Sequence, residues 1–217
     1  MDSTGLLEQL RTDLFDLEEP YLWSDEELIR YIDDAQFMFC RKTDGIPDDF
    51  TADVCELAVT PGTDRVALHP SIRLVRAAAR DDTGAPVEVL NTEDMPRRGY
   101  RFNGVLGSPK ALVLGGSAHS ARVWPVSSET FTLRLTVFRM PLAHITDTDQ
   151  AFEIDEEHHT HLGLWCMHRA YLKQDAETLD KDKSAEFEAR FLNYCASVTR
   201  EEQRKRHKTR VVSYGGL

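Results

Sequence analysis

The apolar residues of this chain change their period twice, and that change limits what it can fold into. Leu6, Leu10, Leu14 and Leu17 recur at i, i+4, i+8 and i+11, the spacing of one helix face. Leu28, Ile32, Ala35 and Phe39 repeat the pattern. Over residues 130–139 the period drops to two: Phe131, Leu133, Leu135 and Val137 fall on one side, Thr132, Arg134 and Thr136 on the other. The helical period returns with Leu164, Trp165, His168, Tyr171 and Leu172, and again with Phe187, Phe191, Tyr194, Cys195 and Val198. The order is therefore two helices, a β-unit, then two helices.

Local signals sharpen these elements. Ser24 and Glu27 form a capping box, with Trp23 and Leu28 at the two staple positions. Gly45 suits a helix C-cap and Pro47 stops continuation. Ser184 stands where an N-cap of the last helix is expected, with Glu186 and Glu188 in its first turn. Between residues 55 and 141, short apolar runs alternate with Pro61-Gly62, Asp81-Asp82-Thr83-Gly84 and Gly115-Gly116, the turn chemistry of antiparallel hairpins. These signals predict an α+β chain, mainly α: a helical bundle from the N- and C-terminal helices, an inserted antiparallel β-unit and an extended C-terminal tail. The expected segments are 1–50 for the first helices, 51–145 for the β-unit, 146–199 for the helix pair completing the bundle and 200–217 for the tail. Its predicted core is Leu10, Leu14, Trp23, Leu28, Ile32, Phe39, Trp165, Tyr171, Phe187, Phe191 and Tyr194.

A net charge of −11 argues against a chain that coats itself in nucleic acid or anionic lipid. No apolar run approaches the ~20 residues that span a bilayer, and residues 1–16 carry acids where a secretion signal needs an apolar stretch. Cys40, Cys55, Cys166 and Cys195 form no CxxC pair and read as reduced, buried thiols.

No constellation requires catalysis, so no enzyme activity and no cofactor are expected. His158 and His161 could share a helical face and hold a metal, but no His-Glu-x-x-His pattern accompanies them, and a half-solvated polar helix start outweighs that reading. Ser117 lacks a nucleophile-elbow glycine two residues on. The pairs Asp33-Asp34 and Asp48-Asp49 read as solvated faces.

The tail is different. Arg204, Arg206, Lys208 and Arg210 precede Val211, Val212, Tyr214, Gly215, Gly216 and Leu217. Basic residues could seat on an acidic partner while the apolar ones fill pockets or add a strand edge. A nucleic-acid-binding arm is the alternative, although aromatic residues are not interleaved with its charges.

Three stretches carry a family resemblance: 22–28 (LWSDEEL) with 31–36 (YIDDAQ) and 39–41 (FCR); the Trp165 helix with 171–178 (YLKQDAET); and the ending 206–217 (RHKTRVVSYGGL). With these the chain resembles the head-to-tail connector, or adaptor, proteins of tailed bacteriophages. The resemblance implies a structural virion protein of the phage neck, assembled in the host cytoplasm as a closed ring of about twelve copies under the portal. It implies that the C-terminal tail docks into the portal ring. The far side would receive a tail tube, nozzle or stopper protein, and genomic DNA would pass through the lumen without specific binding or any membrane. Some of Asp33, Asp34, Asp48 and Asp49 would line that lumen. Another neck ring, a stopper or tail terminator, is the nearest alternative.

Overall fold

The computed structural model describes residues 2–101 and 104–206. In chain order the elements are α1 (Ser3–Asp13), α2 (Asp25–Lys42), β1 (Ile46–Asp48), α3 (Ala52–Cys55), β2 (Glu56–Val59), β3 (Arg65–Ala67), β4 (Ile72–Arg80), β5 (Pro86–Asn91), β6 (Leu106–Gly107), β7 (Ala111–Ser117), β8 (Ser120–Trp124), β9 (Val126–Ser127), β10 (Phe131–Arg139), α4 (His159–Ala170) and α5 (Lys181–Arg206). They fall into two compact units, residues 1–43 with 143–217, and residues 44–142.

In the helical unit, α4 packs on α1, α2 and α5. The start of α2 is fixed by the Ser24–Glu27 capping box, with both reciprocal hydrogen bonds present. The core of this unit includes Leu6, Leu10, Leu28, Ile32, Leu162 and Phe191, each with no exposed surface. Aromatic donors tie the helices together. Trp23 Nε1 donates to the Ala170 carbonyl at 3.1 Å, and Trp165 Nε1 to Asp34 Oδ2 at 2.9 Å.

The second unit overturns the expected fold class. It is an eight-stranded sheet, ordered β1-β10-β4-β5-β7-β8-β3, with β2 sharing the β1 edge of β10. The sheet curls into a half-barrel around its own core of Val59, Val66, Val75, Leu112, Val123, Leu133 and Leu135. A helical bundle with a small antiparallel insertion does not describe this chain. Nor is the sheet purely antiparallel, because β5 pairs with β7 in parallel, Glu88 opposite Ala111 through Asn91 opposite Leu114. Parallel neighbours need a crossover of a dozen residues or more, and residues 92–110 supply it through two 3₁₀ turns, Thr92–Asp94 and Pro96–Arg98. The apolar runs of β5 and β7 look the same for either direction, so direction is decided by that connection.

Three helix ends also differ from expectation. α1 stops at Asp13, and Phe15 takes a positive φ of 56°. Leu17, expected on the buried stripe, is 62% exposed. At the other terminus α5 continues through Arg206, so residues 200–206 are helical where an extended tail was expected. Pairs three and four apart support that turn, Lys205 reaching Glu202 at 2.8 Å and Glu201 at 3.9 Å. α5 also begins earlier: Asp180 Oδ1 accepts the Lys183 N–H. Ser184 is buried, and its Oγ meets His168 Nδ1 at 2.9 Å.

Candidate functional site

The chemistry-bearing residues lie mainly in the helical unit. The histidine cluster resolves into packing. His158, at the end of a 3₁₀ turn (Glu156–His158), pairs Nδ1 with the Tyr194 hydroxyl at 2.8 Å. His161 stacks flat on the same Tyr194 ring, centroids 3.6 Å apart. The two histidines therefore flank a tyrosine. Burial lowers the pKa of both rings; for His158 the carboxylates of Glu157 and Asp155 offset part of that effect. His159 Nε2 meets the Ile154 carbonyl at 2.9 Å, and its ring packs on Phe152. Among the described residues, Asp155, Glu157 and His158 bring ligand atoms within 4.8 Å of one another, with both acids exposed, an arrangement common without any ion.

Of the paired acids only Asp49 is exposed; Asp33 and Asp34 are half-buried and Asp48 is buried. Asp33 accepts the Ile145 N–H at 2.9 Å and meets His144 Nδ1 at 2.8 Å. Asp34 accepts from Trp165 and lies 3.6 Å from Arg169 Nε. Asp48 is buried against Arg139, which removes it from any set of acids lining a lumen.

Of the residues expected in the core, Leu10, Leu14, Trp23, Leu28, Ile32, Phe39, Trp165 and Phe191 are buried. Tyr171, Phe187 and Tyr194 are half-buried. Tyr171 and Phe187 stack with centroids 5.8 Å apart.

The expected docking tail is described only at its start. Arg204 is exposed on the last turns of α5, and the backbone of Arg206 ends the helix. Lys208, Arg210, Val211, Val212, Tyr214, Gly215, Gly216 and Leu217 lie outside the described residues.

One surface feature went unread in the sequence. The loop between α1 and α2 exposes Phe15 (89%), Leu17, Tyr21 and Leu22. Its shape comes from a clasp beneath it. Arg11 donates Nη1 to Asp16 and Nη2 to Asp25, at 2.5 and 2.6 Å, and its guanidinium lies 3.9 Å from the centre of the Tyr21 ring. Asp16 also accepts the N–H groups of Leu22 and Trp23. The available signal was the run Asp16-Leu17-Glu18-Glu19-Pro20, where acids and a proline break the leucine stripe.

Comparison with known proteins decides what such a chain is. The sequence model of the SU10 adaptor protein family matches residues 1–213. The chain belongs to that family. No curated protein matches it. Membership makes the adaptor a phage structural protein of the virion, working with other phage head or tail proteins. Among its described residues no helix is long and apolar enough to cross a membrane. The family match takes in the basic run through Ser213, leaving Tyr214 to Leu217 beyond it.

Proposed function

We propose that the adaptor assembles as a ring of about twelve copies beneath the portal at the phage neck. In this reading residues 207–217, just past α5, dock on the portal, the opposite side receives the tail tube, nozzle or stopper, and DNA crosses the lumen without specific binding. No chemical step is required of it. The family match over nearly the whole chain carries the reading.

Charge distribution supports it. Residues 44–142 hold 12 acids and 11 bases, whereas residues 1–43 and 143–199 together hold 23 acids and 9 bases. Residues 200–217 reverse the sign, with 6 bases and 2 acids. A strongly acidic body repels DNA, and a basic, apolar end suits a docking arm.

The test is co-sedimentation of the adaptor with assembled portal rings, with and without residues 207–217. The cut falls just past the last residue of α5, so the helix stays whole. Binding by the intact chain and loss in the truncated one is the expected result. Failure of the intact chain to bind portal, together with retardation of DNA, would replace this reading with a nucleic-acid-binding arm.

A further inference from the structure

The loop between α1 and α2 is built to hold an apolar knob in solvent. Phe15 keeps a left-handed backbone, a costly conformation for a bulky residue. The buried Arg11–Asp16 pair holds the loop in place around it. Acids flank the knob: residues 13–27 carry seven, and while Asp16 and Asp25 pair with Arg11 and Glu27 with Lys173, Glu18 and Glu19 stand next to Leu17. Its partner should therefore offer cations on an apolar, open surface.

The same chain offers such a surface at the far end of its helical unit. Ala196, Arg200 and Arg204 recur at i+4 on α5, and all three are exposed. Arg200 Nε donates to the Ala196 carbonyl, laying its stem along the helix. Arginine stems accept apolar packing, and guanidinium groups bind both aromatic faces and carboxylates. Glu201 and Glu202 engage Lys205 instead.

The two surfaces of one copy are far apart. Lys173 Nζ donates to the Leu22 carbonyl, and Asp180 N–H to the Tyr171 carbonyl, so α5 starts beside the knob loop. At 1.5 Å per residue, Arg204 lies about 30 Å further along that helix than Ser184. One copy cannot satisfy both surfaces by folding on itself.

We propose that the Phe15 knob of one copy seats on the Ala196–Arg200–Arg204 face of a second copy, head to tail. Phe15 packs on the two arginine stems, and Glu18 and Glu19 pair with their guanidinium groups. Such a contact uses different patches on the two partners, the kind of interface that closes into rings. The inference deepens the ring reading and rests on it.

Cysteine capture tests the contact directly. Leu17→Cys and Gln203→Cys are placed in one chain, whose four native cysteines are buried, and treated with a short bis-maleimide, alone and with portal rings. The expected result is a ladder of dimers, trimers and higher species from the double variant and none from either single variant. Adding Glu18→Lys with Glu19→Lys removes the ladder, and adding Arg200→Glu with Arg204→Glu to those restores it. No ladder under either condition overturns the proposal. So does a dimer from Leu17→Cys alone, which would mean a two-fold contact of knobs. Portal co-sedimentation of the unmodified chain, run alongside, reports the portal reading separately.

Discussion

Arg139 and Asp48, the last residues of β10 and β1, close a buried ion pair with Nε 2.5 Å from Oδ2. The Asp48 side chain has no exposed surface. Burial alone would raise its pKa, but hydrogen bonds from Arg139, Thr51 and Phe50 outweigh that and hold the carboxyl well below the usual range. A carboxyl depressed in the folded state contributes stability above its unfolded pKa of about 4 and loses it as pH falls below that value. Replacing Arg139 with Met leaves a buried charge unpaired and should cost about 3–5 kcal/mol. Urea denaturation at pH 7 measures it. The difference between wild type and Asp48→Asn should shrink as pH drops below about 4.

Gly45 sits against this pair with φ at +96°, and a Cβ there would stand 2.6 Å from the Arg139 carbonyl oxygen. Both the backbone conformation and the space demand glycine. Gly45→Ala should lower stability by more than the ~1 kcal/mol of an ordinary conformational penalty. Thermal unfolding checks this, with Gly62→Ala, where the added carbon meets nothing within 4 Å, separating the conformational cost from the clash.

His158 and His161 set a second acid response at higher pH. Burial depresses both rings' pKa, so their neutral forms are favoured in the folded chain. That contribution is complete above the unfolded value of about 6.5 and is lost as pH falls through the lower folded values. The thermal midpoint should therefore fall from pH 7 towards pH 5. His161→Phe keeps a ring on Tyr194 and should flatten that slope; an unchanged slope would show that other groups set it.

The cysteines should be silent in the native protein. Burial pushes the Cys55 thiol up to about 11, with nearby Asp48 adding to it, and Cys195 up to about 12. Cys166 is raised further, and Cys40 is buried too. Thiolate is the reactive form, so a thiol reagent at pH 8 should find no rapidly reacting group until urea exposes all four.

The sequence by itself determined the local elements of this adaptor. The capping box at Ser24, the alternation along β10 and the apolar face of α5 are local patterns, written in side chains a few residues apart. Motifs at both ends of the chain also carried the family. Only the tertiary structure decided the rest. The parallel pairing of β5 with β7 depends on a crossover whose path no local pattern states. The depth of Asp48 depends on Arg139, ninety-one residues away, so a pair of adjacent acids read as solvated became one buried and one surface residue. Leu17 continued a leucine stripe on paper, yet Asp16 took Arg11 and two backbone N–H groups beneath the loop, and Leu17 turned outward together with Phe15. Periodicity tells which residues can share a face, but whether that face meets core or solvent depends on partners distant in sequence, and those are chosen by packing.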